Sequence, residues 1–196
     1  AGYAMTTFNA PVLMRSHGLS PAETGLWYGL MTGVAGMIGM LSAGMLADRL
    51  SLKDPSWRLR ISAYLMAVSA PFLAGAMLAD NAMLAVLLLI GPQMLTVAYL
   101  GPTFAAMHAI VPPHMRAMAT SCLMGALTLL GALGPLAVGM LSDWLVPTYG
   151  KDSLAMAMLL APVMLMGSSL AFVLAARAMP GDLYEGRLPM PSAAAG

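Results

Sequence analysis

Asp, Glu, Lys and Arg are absent from six long intervals of this chain. The intervals cover residues 1–14, 24–47, 61–79, 81–115, 117–142 and 153–176. A helix needs about 20 apolar residues to cross the hydrocarbon core of a bilayer, and five of these intervals are long enough or within one residue of that length. Only 9% of the residues are charged and the mean hydropathy is +0.81, whereas soluble domains carry about 25% charged residues. The sequence therefore predicts an all-α protein embedded in the lipid bilayer.

The interval 81–115 is too long for one crossing, and Val111-Pro112-Pro113-His114 indicates a loop near its end. The predicted spans are about 1–14, 24–47, 60–79, 82–108, 117–142 and 153–176. Ser20 and Pro21, followed by Glu23, are typical of a capped helix start. The first span is too short to cross, so we expect a truncated first helix. Residues 1–177 would form one six-helix bundle, and residues 178–196, rich in Pro, Gly, Ala and Ser, a disordered tail.

The basic residues orient these spans. If the loop 48–60 is cytoplasmic, seven of the nine basic residues lie inside: Arg49, Lys53, Arg58, Arg60, Arg116, Arg177 and Arg187. Only Arg15 and Lys151 lie outside, as the positive-inside rule requires, and the carboxyl-terminal tail is then cytoplasmic.

One pattern occurs twice, 95 residues apart: Gly39-x4-Gly44-Met-Leu-x-Asp48 and Gly134-x4-Gly139-Met-Leu-x-Asp143. Each copy closes an apolar stretch, and two further spans separate the copies. A chain that crosses the bilayer each time therefore reaches the two copies from opposite sides. This arrangement is typical of two inverted three-helix repeats, from which secondary transporters build alternating access.

Residues 39–49, with their Gly-x4-Gly-x-Leu-Ala-Asp-Arg turn, resemble the weaker second copy of the cytoplasmic signature loop of the major facilitator superfamily (MFS). Three further stretches resemble the spinster-like subgroup: Tyr99-Leu-Gly-Pro-Thr, Val111-Pro-Pro-His-Met-Arg116 and Gly131-Ala-Leu-Gly-Pro135. The resemblance implies the carboxyl-terminal six-helix half of a carrier, whose amino-terminal half is a missing part of the same polypeptide. It also implies a small-molecule or lipid substrate, such as a lysophospholipid or sphingolipid-like amphiphile, and a multi-pass protein of a bacterial inner (plasma) membrane.

Three charged residues are candidates for holding the cytoplasmic side closed. In the family, the aspartate at the position of Asp48 faces a helix N-terminus of the other half, where a carboxylate gains about 0.3–1 kcal/mol. Arg49 follows it, and Arg116 lies at the cytoplasmic mouth of the fifth span. The alternative is that Asp48 and Arg49 cap a helix and that Arg116 is an inside anchor or a ligand of a lipid phosphate.

The best candidate for a substrate cavity is a polar stripe on the fourth span, formed by Gln93, Thr96, Tyr99 and Thr103. At 100° per residue these side chains share about a third of the helix circumference, and polar side chains at membrane depth face protein or water. The resemblance places the first span beside this stripe, which adds Thr6 and Asn9. The alternative is that these groups bond to neighbouring helices or to their own backbone.

Other chemistry is poorly supported by the sequence. His108 is a weaker candidate for a proton relay, because its unperturbed pKa lies near 6.5. His17, His108 and His114 fall on both sides of the membrane and Cys122 is the only cysteine, so we predict no metal, no cofactor and no enzyme activity. No basic cluster suited to nucleic acid is present. A non-transporting six-helix scaffold, or a dimeric half-carrier, remains the alternative to a transporter.

Overall fold

The computed structural model describes residues 1–183. Within these residues the chain forms eight helices: α1 (Gly2–His17), α2 (Pro21–Ser51), α3 (Trp57–Met77), α4 (Ala82–Ile110), α5 (Arg116–Gly131), α6 (Leu133–Tyr149), α7 (Ser153–Met158) and α8 (Leu160–Asp182). Single turns of 3₁₀-helix lie at Pro113–Met115 and Gly150–Asp152. No strand occurs in this part of the chain, so the predicted all-α class is confirmed.

Four helical runs are long and apolar enough to cross a membrane: Pro21–Ser51, Trp57–Met77, Ala82–Ile110 and Pro113–Gly181. The last run has 69 residues, far more than one crossing needs. Helix α1 has 16 residues and spans about 24 Å at 1.5 Å per residue, which is less than the hydrocarbon core of about 30 Å.

The long run folds back on itself at Gly150. The Oγ atoms of Ser142 and Ser153 are 3.5 Å apart although the two residues are 11 positions apart in the chain. In a straight helix the same separation would be about 16 Å. Gly150 has φ 54° and ψ −120°, a backbone conformation that only glycine adopts readily. Helices α5 and α6 therefore form one arm of a helical hairpin, and α7 and α8 form the other.

Three helix interruptions share one sequence feature. Single turn residues separate helical stretches at Tyr99, Ala132 and Leu159, and each lies three positions before a proline. A proline has no N–H for the carbonyl four residues earlier, and its ring clashes with that carbonyl. The carbonyls concerned belong to the last residues before the three turns, so each proline accounts for a hydrogen bond that is missing at its interruption.

The contacts between helices are those expected of a two-fold repeat, because each contact has an equivalent in the other three-helix unit. Gly39 of α2 lies so close to Met94 of α4 that a Cβ at Gly39 would collide with the Met94 backbone. Gly134 of α6, the equivalent residue in the second copy of the motif, lies against Ala1 and Ala4 at the start of α1. The second helix of each three-helix unit thus packs on the first helix of the other unit. Helices α3 and α8, the third members, pack on each other, and the Ser169 hydroxyl donates to the Ala63 carbonyl at 2.8 Å.

The core lies where α1, α3, α4, α7 and α8 meet, and α5 is outside it. Leu13, Leu73, Leu89, Met158 and Leu165 are almost completely buried. In contrast, α5 has no buried residue. Exposed apolar side chains along α5 and α6 include Met118, Leu129, Leu130, Leu133, Leu136 and Met140. Because no other part of the described chain covers these side chains, lipid or another protein segment must do so.

The start of α2 and the end of α8 can be compared directly with the boundaries that the sequence predicts. The predicted capping box is present, since the Glu23 backbone N–H donates to the Ser20 hydroxyl and the Ser20 N–H donates to the Glu23 carboxylate at 3.0 Å. Helix α8 continues to Asp182, so the first five residues of the predicted tail, 178–182, are helical. The predicted boundary came from Arg177, but an arginine ends an apolar interval without ending a helix. The rest of the predicted tail, 184–196, lies outside the described residues.

Candidate functional site

A large groove lies between the start of α1, α4, α5 and α8. Its volume is about 440 Å³. Hydroxyl groups reach it from three helices, through Tyr3, Thr96, Tyr99 and Ser168. The other lining side chains are apolar: Ala1, Met66, Leu123, Ala126, Leu127, Leu130, Leu165 and Phe172. No charged side chain lines this groove, so it offers hydrogen bonds and apolar contact without a buried charge.

A second, smaller groove of about 160 Å³ continues along the seam between α1 and α4. Thr6 and Gln93 line it, and Thr96 and Tyr99 line both grooves. The structure therefore brings together four of the six residues that the sequence suggested for a substrate cavity. The Tyr99 ring also packs edge-on against Phe172, with centroids 5.9 Å apart, which fixes its orientation at the junction of the two grooves.

Gln93 is buried, with 2% of its surface exposed, and only half of its amide is paired. Its Nε2 donates to the Thr32 hydroxyl at 3.4 Å, and its Oε1 has no partner. Thr32 lies in the one π-helical stretch of α2, Met31–Ala35, and such wide turns are often found at functional sites. Nearby, the Tyr28 hydroxyl donates to the Thr6 carbonyl at 3.3 Å. These bonds join α1, α2 and α4.

Thr32 and Tyr28 were missed by the sequence reasoning. They lie on a different helix from the stripe, and only tertiary packing brings them to it. The one available signal was that Thr32 is a lone polar residue in the middle of an apolar interval, between Gly29 and Gly33.

Thr103 and Asn9 do not join the other four residues. Thr103 donates to the Tyr99 carbonyl at 2.7 Å and lines another groove, of about 330 Å³, between α3, α4, α5 and α8, which shares only Leu123 with the first groove. Asn9 is 1% exposed, its Oδ1 has no partner, and it lines neither of the two grooves. Thr96 also donates to its own helix, at the Pro92 carbonyl. The alternative predicted from the sequence, hydrogen bonding to their own helix backbone, is therefore observed for Thr96 and Thr103.

The three candidate gating residues all lie at the surface of the chain. Asp48, Arg49 and Arg116 are exposed. Among the described residues the one ion pair is Arg60–Asp54, at 3.4 Å. The residues Asp48, Arg49 and Arg116 are thus available to a partner, and their gating role stays a prediction.

The turn between α2 and α3 is organised around Asp54. Its carboxylate accepts hydrogen bonds from the Ser56 hydroxyl and from the Ser56 backbone N–H, the latter at 2.9 Å. These bonds, together with the nearby positive charge of Arg60, hold the pKa of Asp54 below its usual value.

His108 bridges α4 and α5. Its Nε2 lies 3.1 Å from the Thr120 hydroxyl, which itself donates to the Arg116 carbonyl at 2.8 Å. Because a hydroxyl has one hydrogen, His108 must carry its proton on Nε2 when both bonds are made. Within residues 1–183, no group of three or more His, Cys, Asp or Glu side chains is placed to hold a metal ion.

The chain is similar to known transport proteins. It is 39% identical over 189 residues to an "MFS-type efflux pump" of Mycolicibacterium smegmatis, covering 95% of this chain and 44% of that protein. It superposes on crystal structures of a bacterial homologue of the human lysosomal transporter Spinster, in inward-facing occupied and unoccupied conformations. Their TM-scores are 0.81 and 0.82, their identities 24% and 23%, and each match covers 94% of this chain. No protein-family model matches the chain.

The chain spans about half the length of these relatives: 44% of the efflux pump, and 48% and 46% of the two Spinster homologue structures. All of these relatives are transport proteins. The apolar helical runs and these matches show an integral, multi-pass membrane protein. The fold and the sequence motifs therefore agree, and the chain belongs to the major facilitator superfamily, with the spinster-like resemblance that its motifs predict.

Proposed function

We propose that this chain is the carboxyl-terminal half of a secondary active transporter that moves an organic solute by alternating access. The observation that carries the proposal is the groove of about 440 Å³ lined by α1, α4, α5 and α8. Two of the helices that line it, α1 and α4, are each the first helix of a three-helix unit. A solute held between equivalent helices of two inverted repeats can be exposed to either side when the repeats rock.

The missing partner in this mechanism is an amino-terminal six-helix half. The bare apolar side chains of α5 and α6 and the half-length matches to known transporters both support such a partner. In this proposal the described helices make five full crossings, through α2, α3, α4, the α5–α6 arm and the α7–α8 arm, and α1 forms part of a sixth. The excess of basic residues then places the carboxyl terminus in the cytoplasm of a bacterial cell.

The proposed substrate is an amphiphile such as a lysophospholipid or sphingolipid-like molecule. The groove has apolar walls and neutral hydroxyl groups, which suit an alkyl chain and the hydroxyl or ester groups beside it. Any charge on the substrate must be met by the other half, because buried charges require a partner. Thr96 and Tyr99 would contact the substrate directly, with Thr6 and Gln93 along the adjoining seam. In the same scheme Asp48, Arg49 and Arg116 meet the amino-terminal half on the cytoplasmic side, and His108 is a secondary candidate for proton transfer.

Transport of a fluorescent lysophospholipid into proteoliposomes tests this proposal, with the full-length natural protein. Thr96→Val keeps the side-chain shape and removes the hydroxyl, and Thr148→Val makes the same change at an exposed position near the end of α6. A hydrogen bond of about 1 kcal/mol predicts a roughly fivefold lower transport efficiency for Thr96→Val alone. Equal transport by the two variants would exclude the groove as the substrate path. If the natural polypeptide proved to be no longer than this chain, a dimeric half-carrier or a scaffold would replace the two-half mechanism.

A further inference from the structure

A fourth groove lies between α2, α3 and α4 and has a volume of about 320 Å³. Its walls are apolar or aromatic: Leu46, Leu50, Trp57, Ile61, Tyr64, Leu65, Val68 and Leu95. It shares no residue with the proposed substrate grooves. Tyr64 is 57% exposed and Leu46 is 50% exposed, so one side of the groove is open to the surroundings of the chain.

The α2–α3 turn joins two residues that line this groove, Leu50 and Trp57, and it carries charge. Lys53 follows Leu50 by one helical turn, and its backbone N–H donates to the Leu50 carbonyl at 3.1 Å. The Arg60 guanidinium lies 5.6 Å from the centre of the Trp57 ring, and Trp57 is one of the residues that line the groove. Asp54 is the acidic neighbour and pairs with Arg60 at 3.4 Å. The segment 48–60 holds four basic and two acidic residues (Arg49, Lys53, Arg58 and Arg60 against Asp48 and Asp54), which gives it a net charge of +2.

We propose that this groove binds an anionic phospholipid, with an acyl chain along the groove and the phosphate at Lys53 and Arg60. An apolar channel suits an acyl chain, and Trp57 and Tyr64 are residues that concentrate at the membrane interface. Basic side chains at that level attract anionic headgroups. The guanidinium of Arg60 keeps free N–H groups after pairing through Nη1 with Asp54, so it can also donate to a phosphate oxygen. The proposal rests on the chain lying in a bilayer and is independent of transport.

Quenching of Trp57 fluorescence by brominated lipids tests this binding. The full-length natural protein is reconstituted in vesicles that contain dibrominated phosphatidylglycerol or dibrominated phosphatidylcholine at equal mole fraction. The difference between the wild type and Trp57→Phe isolates the signal of Trp57. We expect phosphatidylglycerol to quench Trp57 at lower mole fractions, with a preference of about fivefold for each basic side chain, which corresponds to about 1 kcal/mol.

Matched variants identify the headgroup contacts. Lys53→Gln and Arg60→Gln should each reduce the preference for phosphatidylglycerol, and the double variant should remove it. Lys151→Gln, at the opposite end of the bundle, should leave the preference unchanged. Equal quenching by both lipids in the wild type, or a preference that survives in the double variant, would overturn the proposal. Absence of quenching by either lipid would also overturn it, because another protein segment would then fill the groove.

Discussion

The close approach of α2 to α4 at Gly39 yields the sharpest stability prediction. A Cβ at Gly39 would collide with the Met94 carbonyl and with its side chain. The side chain can rotate away, but the backbone carbonyl belongs to a helix and cannot move alone. Gly39→Ala therefore forces α2 and α4 apart, and overpacking of this kind costs about 1–3 kcal/mol. A higher helix propensity of up to about 1 kcal/mol offsets part of that cost.

Gly44 provides a control within the same helix and motif. A Cβ at Gly44 would meet nothing within 4 Å, so Gly44→Ala gains helix propensity without a clash. The assay is thermal unfolding of the purified natural protein in detergent, with all variants at the same concentration. We expect a lower midpoint for Gly39→Ala, by about 1–2 °C at roughly 1 °C per kcal/mol for a protein of twice this length, and an unchanged or higher midpoint for Gly44→Ala. Equal midpoints for the two variants would refute the contact and, with it, the packing expected of the repeat.

Two other perturbations have predictable outcomes. Gly150→Ala should lower the unfolding midpoint, because φ 54° and ψ −120° cost a side-chain-bearing residue about 1–3 kcal/mol; a midpoint equal to that of the wild type would mean that the chain does not reverse through this conformation. The lowered pKa of Asp54 means that its carboxylate stabilises the α2–α3 turn above the unfolded pKa of roughly 3.9 and that this stability is lost as the pH falls through the folded pKa. Asp54→Asn should therefore flatten the acid side of a plot of unfolding midpoint against pH, and an unchanged acid side would show that the bonds from Ser56 are not formed.

Much of the helical architecture could be predicted from the sequence because charge has a high cost in hydrocarbon. Charge-free intervals therefore locate the apolar helices with little regard to tertiary structure. Ser20 and Glu23 fix a helix start through bonds within four residues, and local bonds of this kind can be inferred from the sequence. The glycine motif predicted the repeat because its two copies, with two spans between them, face opposite sides of the membrane, and the packing of Gly39 and Gly134 agrees with it.

The candidate site was predicted less completely because its geometry depends on packing between helices. The polar stripe from Gln93 to Thr103 was predicted on the assumption of a straight helix. Helix α4 is interrupted at Tyr99, and Thr103, which follows the interruption, lines a different groove. Thr32 could not be chosen from the sequence, because its contact with Gln93 joins residues 61 positions apart. The end of α8 was placed too early, because the apolar interval and the helix end at different residues.

Water access to Thr96 tests the central claim, that the groove is part of an aqueous pathway between two halves. A single cysteine is placed at Thr96 or at Val163 in the natural protein after all its own cysteines, Cys122 included, have been replaced, and membranes are treated with a small, hydrophilic thiol reagent. Val163 is 66% exposed in the chain whereas Thr96 is 8% exposed, so surface exposure alone favours reaction at Val163. The account predicts the opposite, with modification at Thr96, which lines the groove, and protection at Val163, which lies outside it and would be covered by lipid or by the other half. Protection of Thr96 under transport conditions would contradict the account.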